Sequence, residues 1–128
     1  MKTKYIVLGF LMSMTLSVNA RMYTAGEQVY LNSDQSASEV SDQKFNWKND
    51  NAKLFLYFFQ STNASNNEWM TLNPTEPGSN VFVGTMSGSN PWYDRVIVVR
   101  KDPSGTAGNW DHKWTQSCDI NIPDNGDC

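Results

Sequence analysis

One histidine and two cysteines are the only imidazole and thiol groups in 128 residues. A structural zinc site takes four such ligands, and His112, Cys118 and Cys128 cannot fill it. Nucleophilic catalysis would have to run through His112. No Gly-x-Ser-x-Gly turn is present to seat a serine beside it. Asp94, Asp102, Asp111 and Asp119 are the least poor candidates for a carboxylate pair. Asp residues among Gly, Asn and Pro are ordinarily turn-formers, however. The segment from Asp102 to Asp111 offers oxygen ligands for calcium, but it has neither a bidentate Glu nor dense Asp spacing, so it reads as a surface loop. The sequence therefore predicts no enzyme, no catalytic residue, no metal and no cofactor. After residue 20 no apolar run can cross roughly 30 Å of hydrocarbon, which argues against membrane insertion. No helical period of useful length appears there either.

The first twenty residues carry a different signal. Lys2 and Lys4 precede an apolar run from Tyr5 to Leu16, and Val18-Asn19-Ala20 supplies small residues for cleavage. Residues 1–20 thus read as a secretory signal peptide and residues 21–128 as one exported, extracellular domain of 108 residues. Two of the 10 basic residues and none of the 13 acidic ones fall in the leader, so the mature chain carries 8 against 13, a net charge of −5. An acidic surface argues against nucleic acid and anionic lipid and suits a neutral polymer. In an oxidising compartment Cys118 and Cys128 are expected to pair, closing a short loop through Pro123 and pinning the C-terminal tail by about 2–3 kcal/mol. Asn63-Ala64-Ser65 is a glycosylation acceptor only in a eukaryotic secretory route.

The elements that can be read are strands. A short first strand is expected at Gln28 to Leu31. Residues 33–50 are polar and loop-like, with Phe45 and Trp47 as anchors. Lys53 to Phe59 is the strongest strand; both its faces are apolar, which places it centrally, with one face on the core and one under a site or a loop. Ser61 to Asn67 reads as a turn and Glu68 to Leu72 as a short strand with Trp69 and Met70 on opposite faces. Asn73 to Asn80 is a break through Pro74, Pro77 and Gly78. Val81 to Met86 and Arg95 to Arg100 are further strands, separated by a turn through Asn90-Pro91. Lys101 to Asn109 is a loop, and Lys113 to Ile122 holds a last strand. Short strands with turns about every ten residues predict an all-β fold, an antiparallel, immunoglobulin-like β-sandwich forming a single domain.

Five tryptophans stand out in this polar context. Trp47 and Trp92 read as loop anchors packed on the core. Trp69, Trp110 and Trp114 lie among Asn, Ser, Thr and Asp, where a core position is costly to explain. On a strand Trp114 would face the same way as His112 and Gln116. A flat ring beside amides and hydroxyls suits a sugar: the ring takes the pyranose face and the polar groups take its hydroxyls.

Leu54-Phe-Leu-Tyr-Phe-Phe59, a polar turn, Glu68-Trp69-Met70, Tyr93-Asp94-Arg95-Val96-Ile97-Val98-Val99-Arg100, Asn109-Trp110-Asp111-His112-Lys113-Trp114-Thr115-Gln116 and Asp119-Ile120, in that order, resemble the starch-binding carbohydrate-binding modules of the family 25 and 26 type. The likeness covers about Val29 to Cys128, and it is nearest to a bacterial extracellular subgroup with a terminal W-D-x-x-W-x-Q-T-x-D-[LI] pattern. It departs from that pattern at Ser117, where Thr is usual, and at Cys118, where Gly or Ala is usual. The resemblance implies a non-catalytic sandwich that binds α-1,4-glucan. It implies Tyr57 and Trp69 as the aromatic platform, with Phe55 and Phe59 as candidates beside Tyr57. It also implies Asn109, Trp110 and Asp111 as a flanking loop and Gln116 as a hydrogen-bonding group. The expected partner is an α-glucan or related polysaccharide, with a cell-surface or enzyme partner alongside. The competing expectation is a secreted protein-interaction or surface-adhesion sandwich that uses the same rings as hot spots.

Overall fold

The computed structural model describes residues 21–34 and 46–122, together with the backbone of Thr3–Val7. Among the described residues ten strands follow in chain order: β1 (Thr3–Val7), β2 (Arg21–Met22), β3 (Gln28–Asn32), β4 (Lys53–Gln60), β5 (Asn63–Pro74), β6 (Val81–Thr85), β7 (Trp92–Tyr93), β8 (Arg95–Lys101), β9 (Lys113–Gln116) and β10 (Ile120–Asn121). The main sheet runs β1-β3-β6-β5-β4-β8-β10, with β9 also on β8, and β2 pairs with β7 in a small second sheet. This is the expected all-β antiparallel sandwich. Among the described residues one pair is parallel, β1 on β3, with Thr3 opposite Gln28 and Val7 opposite Asn32. β1 lies within the expected leader, so cleavage after Ala20 would remove it and leave β3 as an edge.

The long strand β5 joins the two halves of the main sheet. Through Leu72 it pairs with β4, and at Asn73 and Pro74 it pairs with β6. Pro74 has no N–H to give, which suits the strand's last position. The side-chain period of two then divides β4 cleanly. Leu54, Leu56 and Phe58 point into the main core. They meet Val29 and Leu31 of β3, Phe82 of β6, Met70 and Leu72 of β5, and Val96 and Val98 of β8. Gly84 of β6 passes so close to Met70 that a Cβ there would lie 2.3 Å from the Met70 sulfur. Trp47 is buried in this core, as expected of a loop anchor, whereas Trp92 is half-buried. Phe45 and the Cys128 end of the expected disulfide lie outside the described residues.

Several sequence expectations are corrected. Ser61 to Asn67 is not all turn: only Ser61 and Thr62 turn, and β5 starts at Asn63. Its polar first half is held by backbone pairing to β4, which asks nothing of side-chain hydrophobicity. Asp94 locks this hairpin. Its Oδ1 accepts the Ser61 amide at 2.7 Å, and its Oδ2 accepts the Ser61 hydroxyl. The expected turn through Asn90-Pro91 is present but ends at Pro91, since Trp92 already belongs to β7, and the expected last strand is two short ones, β9 and β10, separated at residues 117–119.

Three buried carboxylates among the described residues, Glu27, Glu68 and Asp94, escape a sequence reading that places charge outside. Glu68 accepts the Tyr93 hydroxyl at 3.0 Å and the Ser87 amide at 2.6 Å, tying β5 to the β6–β7 connection. Burial, with the Glu68 charge beside it, pushes the Tyr93 phenol up to about 12. A raised folded value means the unfolded chain ionises first, so stability is full below about pH 10 and falls as pH rises through about 12. Alkaline unfolding followed by circular dichroism is expected to begin near pH 10 and to be shallower in Tyr93→Phe. An identical pH profile in that variant would remove Tyr93 from the account.

Candidate functional site

The opposite face of β4 carries Phe55, Tyr57 and Phe59. They build a second, smaller apolar cluster with Ile97 and Val99 of β8, Trp69 of β5 and Ala107 of the β8–β9 loop. Register brings the rings together, because Tyr57 lies directly opposite Trp69 on the neighbouring strand. Their ring centres are 5.0 Å apart with planes inclined at 52°. Phe55 is buried and meets Trp69 edge-on at 6.4 Å, so it forms the floor. Tyr57 and Phe59 stack at 5.5 Å and 28°. Burial raises the Tyr57 phenol above its ordinary value.

Trp110 completes the group from the loop. Its centre is 4.9 Å from Tyr57 and 4.7 Å from Trp69, at 65° and 68°, and it is 41% exposed. Edge-to-face contacts of this kind add about 0.5–1.5 kcal/mol each beyond area burial. Tyr57, Trp69 and Trp110 therefore form a tilted three-ring group with partly open surfaces, rather than one flat platform.

The loop holding Trp110 is itself built. At its base the Asp102 amide donates to the His112 carbonyl at 3.0 Å. The Asp102 carboxylate meets His112 Nδ1 at 2.9 Å and accepts the Ser104 amide at 2.7 Å. The His112 hydrogen bond, helped by the Ser104 amide, holds the Asp102 carboxyl below the usual carboxylate range. Gly108 at φ 92° and His112 at φ 62° take left-handed turns. Glycine does so freely, whereas His112 adopts a sterically costly conformation that its pair with Asp102 offsets.

Lys101 is the residue that sequence reasoning missed. It sits at the end of an apolar strand, where a lysine reads as the first loop residue, yet it is fully buried. Its ammonium donates to the Thr106 carbonyl at 2.6 Å, to the Asn109 carbonyl at 2.6 Å and to Asn109 Oδ1 at 3.2 Å. It also lies 4.9 Å from the Trp69 ring centre and 5.1 Å from that of Phe55. One cation thus joins the loop to the rings beneath it. Burial lowers its pKa, and the Asp111 charge opposes that shift.

The polar residues expected to flank the rings divide. Asn109 is half-buried and spent internally, since its Oδ1 accepts both Lys101 and the Asp111 amide. Asp111 is exposed on the same loop. Gln116 is exposed on β9 opposite Val99, and its Oε1 accepts Lys113 at 2.5 Å. Asn67 lies opposite Phe59 and Thr71 opposite Phe55 on the same face, so β5 adds an amide and a hydroxyl that the sequence reading had not singled out. Trp114 does not share this face. A register shift between Arg100 and Lys101 re-aims it, and its ring lies on the Arg100 guanidinium at 4.7 Å. No three His, Cys, Asp or Glu side chains converge on a metal-sized site among the described residues.

No protein-family model, curated protein or solved structure matches the chain. The functional reading therefore stands on the geometry. Inclined aromatic faces, partly open and bordered by amide, hydroxyl and carboxylate groups, can take the apolar faces of a twisted polyhydroxy ligand and satisfy its hydroxyls.

Proposed function

We propose that the chain is an exported, non-catalytic carbohydrate-binding module that takes an α-1,4-glucan on Tyr57, Trp69 and Trp110. The observation that carries this reading is the cross-strand Tyr57–Trp69 pair, met by Trp110 from a loop pinned by a buried lysine. Successive glucose rings of an α-1,4 chain turn relative to one another, so ring planes inclined at 52–68° suit it better than coplanar rings would. Phe59 extends the apolar surface beside Tyr57. On this reading Asp111, Gln116, Asn67 and Thr71 would bond hydroxyls, and Asn109 acts by shaping the loop. Binding on these rings would be shallow, so affinity is modest, with Kd near micromolar or weaker.

Native electrophoresis through gels containing soluble starch, with β-1,4-glucan gels as the control, tests the reading. Retardation by starch alone is expected, together with a change in tryptophan emission on titration with maltooligosaccharides. Free migration in every polysaccharide gel would sink it and favour the protein-interaction alternative.

A further inference from the structure

Resting on that reading, we infer that Trp114 is a second saccharide-contacting platform, separate from the Tyr57–Trp69–Trp110 group. Trp114 is 46% exposed, yet it is not a loose side chain. One face of its indole lies on the Arg100 guanidinium. Arg100 is buried and fixed from below, donating to the Trp47 carbonyl at 2.9 Å and to the Asn49 carbonyl at 2.7 Å. A ring bedded on an immobilised cation loses little rotamer freedom when a ligand settles on it, which is the condition for a useful stacking surface.

The surroundings specify the ligand. All four residues of β9 are exposed, and Trp114 stands between Lys113 and Thr115. No other large apolar side chain on that strand widens the contact, so the area is far below what a stable protein interface buries. The guanidinium under the ring also meets the exposed Asp50 carboxylate at 3.4 Å. An isolated indole seated on a guanidinium that also holds the Asp50 carboxylate, with Thr115 opposite that same Arg100 on the strand pair, matches one pyranose with its hydroxyls, the same chemistry as the first group. Two such surfaces on one small domain raise the avidity for a polymer without tightening either contact.

Indole N–H resonances in two-dimensional ¹⁵N spectra, recorded while maltoheptaose is added to the protein, decide the matter. The Trp114 resonance, assigned through Trp114→Phe, is expected to move, and to move still in Trp69→Ala. Trp114→Ala is expected to weaken retention in starch gels about tenfold, equal to about 1.4 kcal/mol, while the Trp69 and Trp110 resonances still respond to the oligosaccharide. If Trp69 and Trp110 respond but Trp114 stays still, and gel retention is unchanged in Trp114→Ala, the second platform is refuted and the first stands. If no indole responds, both fall.

Discussion

Lys101→Met is expected to lower the melting temperature by on the order of 10 °C and to abolish retardation in starch gels. The buried ammonium makes two 2.6 Å bonds to loop carbonyls and one longer bond to an amide oxygen. Bonds from a charged donor contribute about 1.5–3 kcal/mol each, and part of that returns when the exposed loop rehydrates, so a net loss of about 2–4 kcal/mol follows. Methionine keeps most of the apolar stem and its packing against Phe55 and Trp69, which isolates the effect of the ammonium. Lys101→Arg should not rescue, because a planar fork does not fit three acceptors arranged around a compact cation. With the loop released, Trp110 is no longer fixed against Tyr57 and Trp69. A variant with wild-type melting temperature and wild-type retention would show that the lysine neither holds the loop nor orders the site.

How far these features were legible follows from what a side-chain pattern can encode. The two-faced apolar run Leu54 to Phe59 announces a strand covered on both sides, and the structure covers it with the core and the Trp110 loop. The opposite facing of Trp69 and Met70 follows from the same period. Lys101 was not legible, because its burial depends on carbonyls eight residues or fewer away that turn inward only once the loop closes. The displacement of Trp114 was not legible either, since one irregular register step overrides the alternation that would put it beside Gln116. The polar start of β5 hid a strand for a related reason: its pairing is made by backbone, and its side chains were free to look like a turn. The buried carboxylates Glu68 and Asp94 needed partners from segments distant in sequence, Tyr93 and Ser87 for one and Ser61 for the other.

Trp69→Ala and Trp110→Ala are expected to lose glucan retention alike but to differ in stability. Each removes a ring whose stacking on a ligand is worth on the order of 1–3 kcal/mol by analogy with other aromatic platforms, so each should weaken binding by about 5- to 150-fold. Trp69 is half-buried and contacts Phe55, Tyr57 and the Lys101 ammonium. Its truncation opens a gap under the loop and should cost about 2–3 kcal/mol, less than the full price of a core tryptophan. Trp110 is 41% exposed on a loop closed independently by Asp102, His112 and Lys101, so its truncation should leave stability within about 0.5–1 kcal/mol of the parent. Urea unfolding and starch-gel electrophoresis on the same preparations separate the two quantities. Trp110→Ala is the sharper probe, because a folded variant that no longer binds cannot be dismissed as a damaged one. If it binds as well as the parent, Trp110 is only a cover for the rings beneath. If Trp69→Ala binds as well too, the aromatic group is packing alone and the glucan reading is wrong.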